Sequence, residues 1–409
     1  MMLFSGGAVF DGEKRLPPGT SVLVDGATIK RIAPEGELAG YAGPRVDVAG
    51  MTVLPGLIDC HVHLVYAGEA NPSAALDALS PAQVALKALQ SAVSTLKGGI
   101  TSIRDCGGKD YIEFAVRDAC NAGTFPGPTI RAAGRMICMT GGHGNRIGRV
   151  ADGVDEVVKA VREQVHAGSD FVKIMATGGV MTPGVNPEDA HYSFAEISAG
   201  IAEGHRFHKH CASHAQGAEG ILNAVRGGVD SIEHGIFMDE ECIEEMKTRG
   251  TYLVPTLAAV RNIVAGADQG IPAYIVDKAR RVFDRHVQAI RMFHAAGGRI
   301  AMGTDAGTPF NRHGENTLEL RYMTDIGIPP ADALRSATAN AADLLRLADR
   351  GRLRDGLAAD LLVVAGDPLA DIDAAAERRN HRWIVKNGQV IAKPSAGLAA
   401  SPAFATAAL

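Results

Sequence analysis

Six residues able to bind a metal or move a proton stand at or just past the ends of short apolar runs. They are His61 and His63 in PGLIDCHVHL, Lys173 in DFVKIMATGG, His214 in CASHAQG, His234 in VDSIEHG and Asp305 in GRIAMGTDAG. Two histidines at i and i+2 on a strand share a face, because strand side chains alternate with period two. Alone, such a pair reads as two capped structural imidazoles. Two further strand-end histidines and a strand-end aspartate change that reading. If all converge on one mouth, they form a closed set of nitrogen and oxygen donors suited to zinc. Asp305 by itself could equally be a strand-end cap or turn residue.

The elements that must position these groups are legible as alternation. Apolar runs such as ITSIRDCGG and GTYLVPTL are separated by amphipathic stretches such as SPAQVALKALQSAVSTLKGG and DGVDEVVKAVREQVHAG. Alternating β and α predicts a parallel sheet. Seven or eight such units match an α/β fold of the (β/α)8 TIM-barrel type, whose active sites sit at the C-terminal strand ends; an open doubly wound sheet is the other arrangement open to this pattern. The ends of the chain read differently. SVLVDGATIKRIAP near the start, and DLLVVAGDPLADI with HRWIVKNGQVI near the finish, carry period-two alternation around Asp-Gly and Asn-Gly turns. They predict a small accessory β-sandwich formed from both termini. The expected domains are residues 1–55 with 351–395 for the β domain, 56–350 for the barrel, and an Ala-rich tail, 396–409, frayed or packed on a neighbour.

The chain has 409 residues, of which 46% are hydrophobic, enough for a large core. A formal charge of −5, spread over both signs, leaves no basic stripe for nucleic acid and no polybasic membrane patch, so a small-molecule partner fits best. Six cysteines (Cys60, Cys106, Cys120, Cys138, Cys211, Cys242) lack CxxC or disulfide-framework spacing and read as buried thiols in a reducing cytoplasm. Neither an export signal nor a membrane span is visible. A homo-oligomer is expected.

With PGLIDCHVHL, DFVKIMATGG, SHAQG, SIEHG, GTDAG and the closing TANAADLLRLADRGRLRDGLAADLLVV, the sequence resembles the amidohydrolase superfamily over nearly its whole length. The order His-x-His, Lys, His, His, Asp is similar to that of its binuclear prolidase-like and Xaa-carboxypeptidase-like branch, which uses a carboxylated lysine. The resemblance implies two divalent ions, zinc by expectation, with His61 and His63 on the more buried one, His214 and His234 on the other, and carboxylated Lys173 bridging both. Asp305 would ligate a metal, take the proton of the nucleophilic hydroxide and pass it to the departing amine. A neutral buried amine can take up carbon dioxide to give a carbamate whose two oxygens hold two cations. Lys173 lies inside VKIMA, where an unmodified charge is costly; the alternative is a buried lysine paired with an acid. Metal binding lowers the pKa of water toward about 7.

The mononuclear deaminases of the superfamily carry Glu three positions after the fifth-strand histidine. Here that position is Gly217, which argues against deamination. His143 in TGGHGN is expected to approach the substrate, as a histidine does there in the peptidase-like relatives, with backbone bonding in the loop as the alternative. His191, Tyr192 and Arg146 are further candidates for substrate binding. His205, His208 and His210 are expected to be solvated or interstrand groups, His166, His286 and His294 to sit on outer helical faces, and His313 to be only a loop candidate. Gly178 and Gly179 lack GxGxxG or Walker spacing and read as permitting a tight loop near the metals. The leading expectation is hydrolysis of a dipeptide or N-acyl amino acid. Hydrolysis of another amide, carbamate, urea or cyclic imide is the enzymatic alternative, and a scaffold lacking some of the six ligands, none of which is missing here, the non-enzymatic one.

Overall fold

The hairpin readings at the two ends are realised in strands that meet. In the computed structural model, which describes residues 1–393, Met2–Ser5 pairs antiparallel with Thr20–Asp25 (Leu3 opposite Leu23), which pairs with Thr28–Pro34. Arg45–Asp47 completes this four-stranded sheet. A second sheet joins distant segments: Leu361–Ala365 pairs antiparallel with Met51–Pro55 (Val363 opposite Val53) and with His381–Lys386. His381–Lys386 turns back into Gln389–Ala392 through Asn387 and Gly388, with φ of 47° and 73°. Positive φ at both turn residues matches the right-handed strand twist, which is why Asn-Gly occurs there. Phe4, Val22 and Ile29 of the first sheet bury against Val53, Leu361 and Val363 of the second. The tail expected at 396–409, and the last two residues of the expected β domain, lie outside the described residues.

Between these ends the chain alternates. Leu57–Val62, Ile100–Asp105 and Thr129–Ala132 form one parallel sheet. Ile137–Cys138, Val172–Met175, Cys211–Ala215, Ser231–His234 and Tyr252–Val254 run parallel in that order in another, with Arg149–Val150 at its edge. Asp170 N donates to the Ala132 carbonyl at 2.9 Å, and parallel bridges join Leu253 to Ile300 and Val62 to Ala306, so residues 300–306 run between the last strand and the first. The intervening helices pack outside. Two begin with reciprocal capping boxes, Ser80 with Gln83 and Ser193 with Glu196, which satisfy orphan N–H groups and set where the helix starts.

The long helix Ala273–Ala295 corrects one expectation. His286 is not on an outer face: it lies with Val282, Ala289, Ile290 and Phe293 on the buried stripe, and its Nε2 donates to the Pro255 carbonyl at 2.8 Å. A helix buries i, i+3, i+4 and i+7 together, and a neutral imidazole with one bonded N–H fits there. All six cysteines are buried and free. Among the described residues no helix is long and apolar enough to cross a membrane.

Candidate active site

His61, His63, Lys173, His214, His234 and Asp305 all line one cavity of about 390 Å³. Parallel register brings their strand ends to one level: Met175 lies opposite His214, and Ala215 opposite His234. The histidine rings neighbour one another, with centroids 5.4 Å apart for His61 and His63, 5.2 Å for His61 and His234, and 4.6 Å for His214 and His234.

Each imidazole has one nitrogen committed behind the cavity. His61 Nδ1 lies 2.8 Å from Glu233 Oε2, His63 Nδ1 2.8 Å from the Gly107 carbonyl, and His214 Nε2 2.9 Å from the Gly178 carbonyl. His234 Nδ1 lies 2.7 Å from Thr256 Oγ1, whose own hydrogen goes to the Pro255 carbonyl. All four partners therefore accept, so each ring spends its N–H there and keeps a lone pair on its other nitrogen. That is the outer bonding which fixes metal-ligating histidines.

Burial pulls His61 and His214 well below the ordinary imidazole range and His234 down to about 3, keeping them neutral and able to donate a lone pair. Burial by itself would raise the Asp305 carboxyl, but positive charge shared with the neighbouring His61 and His63 imidazoles holds it well below the usual carboxylate range, and Asp305 in turn, against the effect of burial, draws His63 above its ordinary value. Asp305 Oδ1 lies 3.3 Å from His63 Nε2 and 3.5 Å from His61 Nε2, yet it accepts no aligned hydrogen bond. Lys173 is buried and its Nζ finds no partner. Orphaned buried polar atoms of this kind are costly unless something else satisfies them. His61, His63 and Asp305 can bring one ligand atom each within 4.8 Å of one another. These residues are of the types that hold divalent cations, and the unpartnered Lys173 amine stands among them.

Three of the nine non-glycine residues with positive φ among the described residues lie at or behind the site. His234, Thr256 and Asp305 have φ of 73°, 54° and 60°. The left-handed region costs non-glycine residues about 1–3 kcal/mol each, most clearly the β-branched Thr256, and persists only where the surroundings impose it.

The sequence description of the Amidohydrolase family matches residues 52–391. The chain belongs to the amidohydrolase family. Among its relatives, ochratoxinase of Aspergillus niger is 31% identical over 378 residues, covering 84% of this chain and 76% of that protein. Among solved amidohydrolase structures, a Xaa-Pro dipeptidase with methionine bound in its active site is 33% identical with a TM-score of 0.85, covering 95% of this chain and 99% of that one. A prolidase complexed with N-methylphosphonate-L-proline is 30% identical with a TM-score of 0.87, covering 96% of this chain and 100% of that one.

The other candidates of this amidohydrolase divide. His143 lines the cavity, its ring centroid 4.4 Å from that of His214 and its Nδ1 2.8 Å from Thr182 Oγ1. Arg146 stands at the rim, paired with Asp77; both are about half exposed. Tyr192 is a correction. It is buried away from the cavity, its hydroxyl donating to the Ala151 carbonyl at 2.8 Å, because its large ring completes the core. His191 is also buried outside the lining, beside Gly142. His313 donates from Nε2 to the His63 and Tyr66 carbonyls, bracing the turn after the His-x-His pair. At Gly217 a side chain would meet the Glu188 carbonyl oxygen at 2.2 Å, so the position of the deaminase acid is taken up by main chain.

Sequence reasoning missed Glu233 and Arg104. Both are fully buried, with Arg104 Nη2 2.7 Å from Glu233 Oε1 and a further bond to Ser231 Oγ at 3.1 Å. The signal was a charged residue inside each of two strand runs, Arg104 in ITSIRD and Glu233 in SIEH. It also missed Asp59, whose carboxylate accepts from the main chain of His61 and Thr304 and from the side chains of Thr304 and Asn316, tying the His-x-His strand to the loop of Asp305.

Proposed function

We propose that this amidohydrolase cleaves the amide bond of a dipeptide or N-acyl amino acid. The observation that carries the proposal is the convergence of six ligand-type residues on one cavity, the unpartnered Lys173 amine among them. The strand order and the bridges through residues 300–306 support a (β/α)8 barrel spanning about residues 56–350, and the two paired sheets support an accessory β-sandwich from 1–55 and the segment after 350. In this reading His61 and His63 would hold one cation and His214 and His234 the other, Lys173 as a carbamate would supply ligand oxygens to both, and zinc is the expected metal. Two cations held there would supply a nucleophile by lowering the pKa of water toward about 7.

The chain's own residues do the rest. Asp305, kept ionised, accepts the proton of the attacking water and delivers it to the leaving amine. His143, pulled down to about 3 by burial, is a neutral imidazole able to donate a hydrogen bond to a developing oxyanion. Met136, Met175, Val180, Val260, Ile263 and Ile275 supply an apolar wall for a substrate side chain, while Arg146 at the rim can meet a carboxylate if it exchanges Asp77 for it. The relatives' ligands, methionine and a proline derivative, are of this chemical kind.

The test is metal analysis of the purified protein together with hydrolysis of L-methionyl-L-proline and N-acetyl-L-methionine, each compared with its C-terminal amide. Loss of the carboxylate should lower kcat/KM by at least about tenfold. Equal efficiency on acid and amide would favour a general amide, carbamate or urea hydrolase instead.

A further inference from the structure

The excursion between Val172–Met175 and the helix Phe194–Arg206 is pinned twice. At its base Gly178 N donates to the Asp189 carbonyl at 3.0 Å, and Thr177 bridges to Ala190. Outward from there, residues 179–188 lie along the helix Ala273–Ala295 and are held by one face of it. Tyr274 Oη donates to the Met181 carbonyl at 3.1 Å, and Arg281 grips the Glu188 carboxylate at 2.7 and 2.9 Å. Between them Lys278 Nζ donates to the carbonyls of Thr182 at 2.7 Å, Val185 at 2.5 Å and Gly179 at 3.5 Å. Tyr274, Lys278 and Arg281 are spaced i, i+4 and i+7, which puts them on one stripe of the helix.

This strap is part of the site. Val180, Met181, Thr182 and Pro183 line the cavity. Thr182 Oγ1 bonds His143, and the Gly178 carbonyl takes the N–H of His214. Gly179 lies flat against the His143 ring: a Cβ there would come within 2.6 Å of Cε1. Three carbonyls of the strap that share one side chain need several N–H donors on it, which the Lys278 ammonium supplies.

We propose that Lys278 is a positioning residue: by tying together the carbonyls of Gly179, Thr182 and Val185 it sets the strap, and through Thr182 it sets the imidazole of His143 over the cavity. Lys278 touches no reacting atom in this arrangement. The consequence for substrate handling rests on the reading of the cavity as an amide-hydrolase site, whereas the coupling of Lys278 to His143 does not.

The experiment uses the metal-loaded full-length protein carrying Lys278→Met, which keeps the length of the stem and removes its donors. Amide hydrogen exchange across residues 179–188 should rise at least about tenfold while exchange in Leu57–Val62 stays unchanged, because only the strap loses its tether. The His143 imidazole signal in histidine-labelled NMR should shift. Lys278→Arg, which retains donors, should restore most of both. Thr182→Val should shift the His143 signal without loosening the strap, and adding Lys278→Met to it should move that signal no further. For whichever of L-methionyl-L-proline and N-acetyl-L-methionine the parent hydrolyses, Lys278→Met should raise KM at least about tenfold with unchanged metal content. The proposal is overturned if exchange in 179–188 is unaltered, or if the strap loosens while the His143 signal stays in place. If neither compound is hydrolysed by the parent, the substrate reading fails, but exchange and NMR still decide the role of Lys278. Should Lys278→Met fail to fold, Lys278→Gln, with a shorter stem and at most two donors, carries the same comparison: exchange in 179–188 should rise and the His143 signal should shift, and no change in exchange overturns the proposal.

Discussion

Glu233 Oε2 lies 2.8 Å from His61 Nδ1, so one buried carboxylate orients a ligand-type imidazole while its other oxygen holds Arg104. Glu233→Gln removes the charge and leaves the guanidinium of Arg104 buried without a counter-ion. Breaking one side of such a pair costs about 3–5 kcal/mol, and losing the outer partner of a metal-bound histidine weakens metal affinity roughly 10–100-fold. Denaturant unfolding and metal titration measure the two effects. If Glu233→Gln unfolds and binds metal like the parent, Glu233 neither supports His61 nor balances Arg104.

Lys173→Ala is expected to lose metal and activity together, because the remaining side chains offer no bridging group between the two histidine pairs. Metal content by atomic spectroscopy is the direct readout. Retention of two ions with near-normal turnover would contradict the bridging role, and recovery of activity with short carboxylic acids would support it.

Asp305→Asn should keep the fold and some metal while turnover drops about 10²–10⁴-fold, since an amide cannot take a proton from the attacking water. Steady-state rates on metal-replete protein check this. Turnover within about tenfold of the parent would remove Asp305 from the proton-transfer role.

Glu113 offers a pH test away from the metal ligands. Its carboxyl is fully buried with no partner at either oxygen, and burial, with the charge of Asp105 adding to it, pushes it up from 4.5 to about 8. The folded state therefore holds a proton that the unfolded chain releases. Its contribution to stability is full below about pH 4.5 and is lost as pH rises toward 8, at up to roughly 1.4 kcal/mol per pH unit. Glu113→Gln, neutral throughout, should become more stable relative to the parent between pH 5 and pH 8. Parallel pH profiles for the two proteins would show that Glu113 is ionised in the fold.

Much of this protein is local and therefore legible in the chain itself. Period-two runs ending in His61, His63, His214 and His234, helical runs opened by Ser80 and Ser193, and the Asn387-Gly388 turn all depend on neighbours a few residues away. Spacing and residue type determine them. Which strand-end groups meet, and what lies behind them, was settled by packing. The opposition of Arg104 to Glu233 spans 129 positions and that of Asp59 to Asn316 spans 257, and no periodicity encodes such pairings. Tyr192 shows the same limit from the other side: next to a loop near the site, it was claimed by the core because burying a large ring and satisfying its hydroxyl with Ala151 outweighs reaching the cavity. His286 fell to helical phase, which an amphipathic pattern reveals only once the partner surface is known. The sequence by itself determined the donors and the elements that carry them; only the tertiary structure decided their lone-pair directions, because each imidazole is turned by an acceptor from a distant part of the chain.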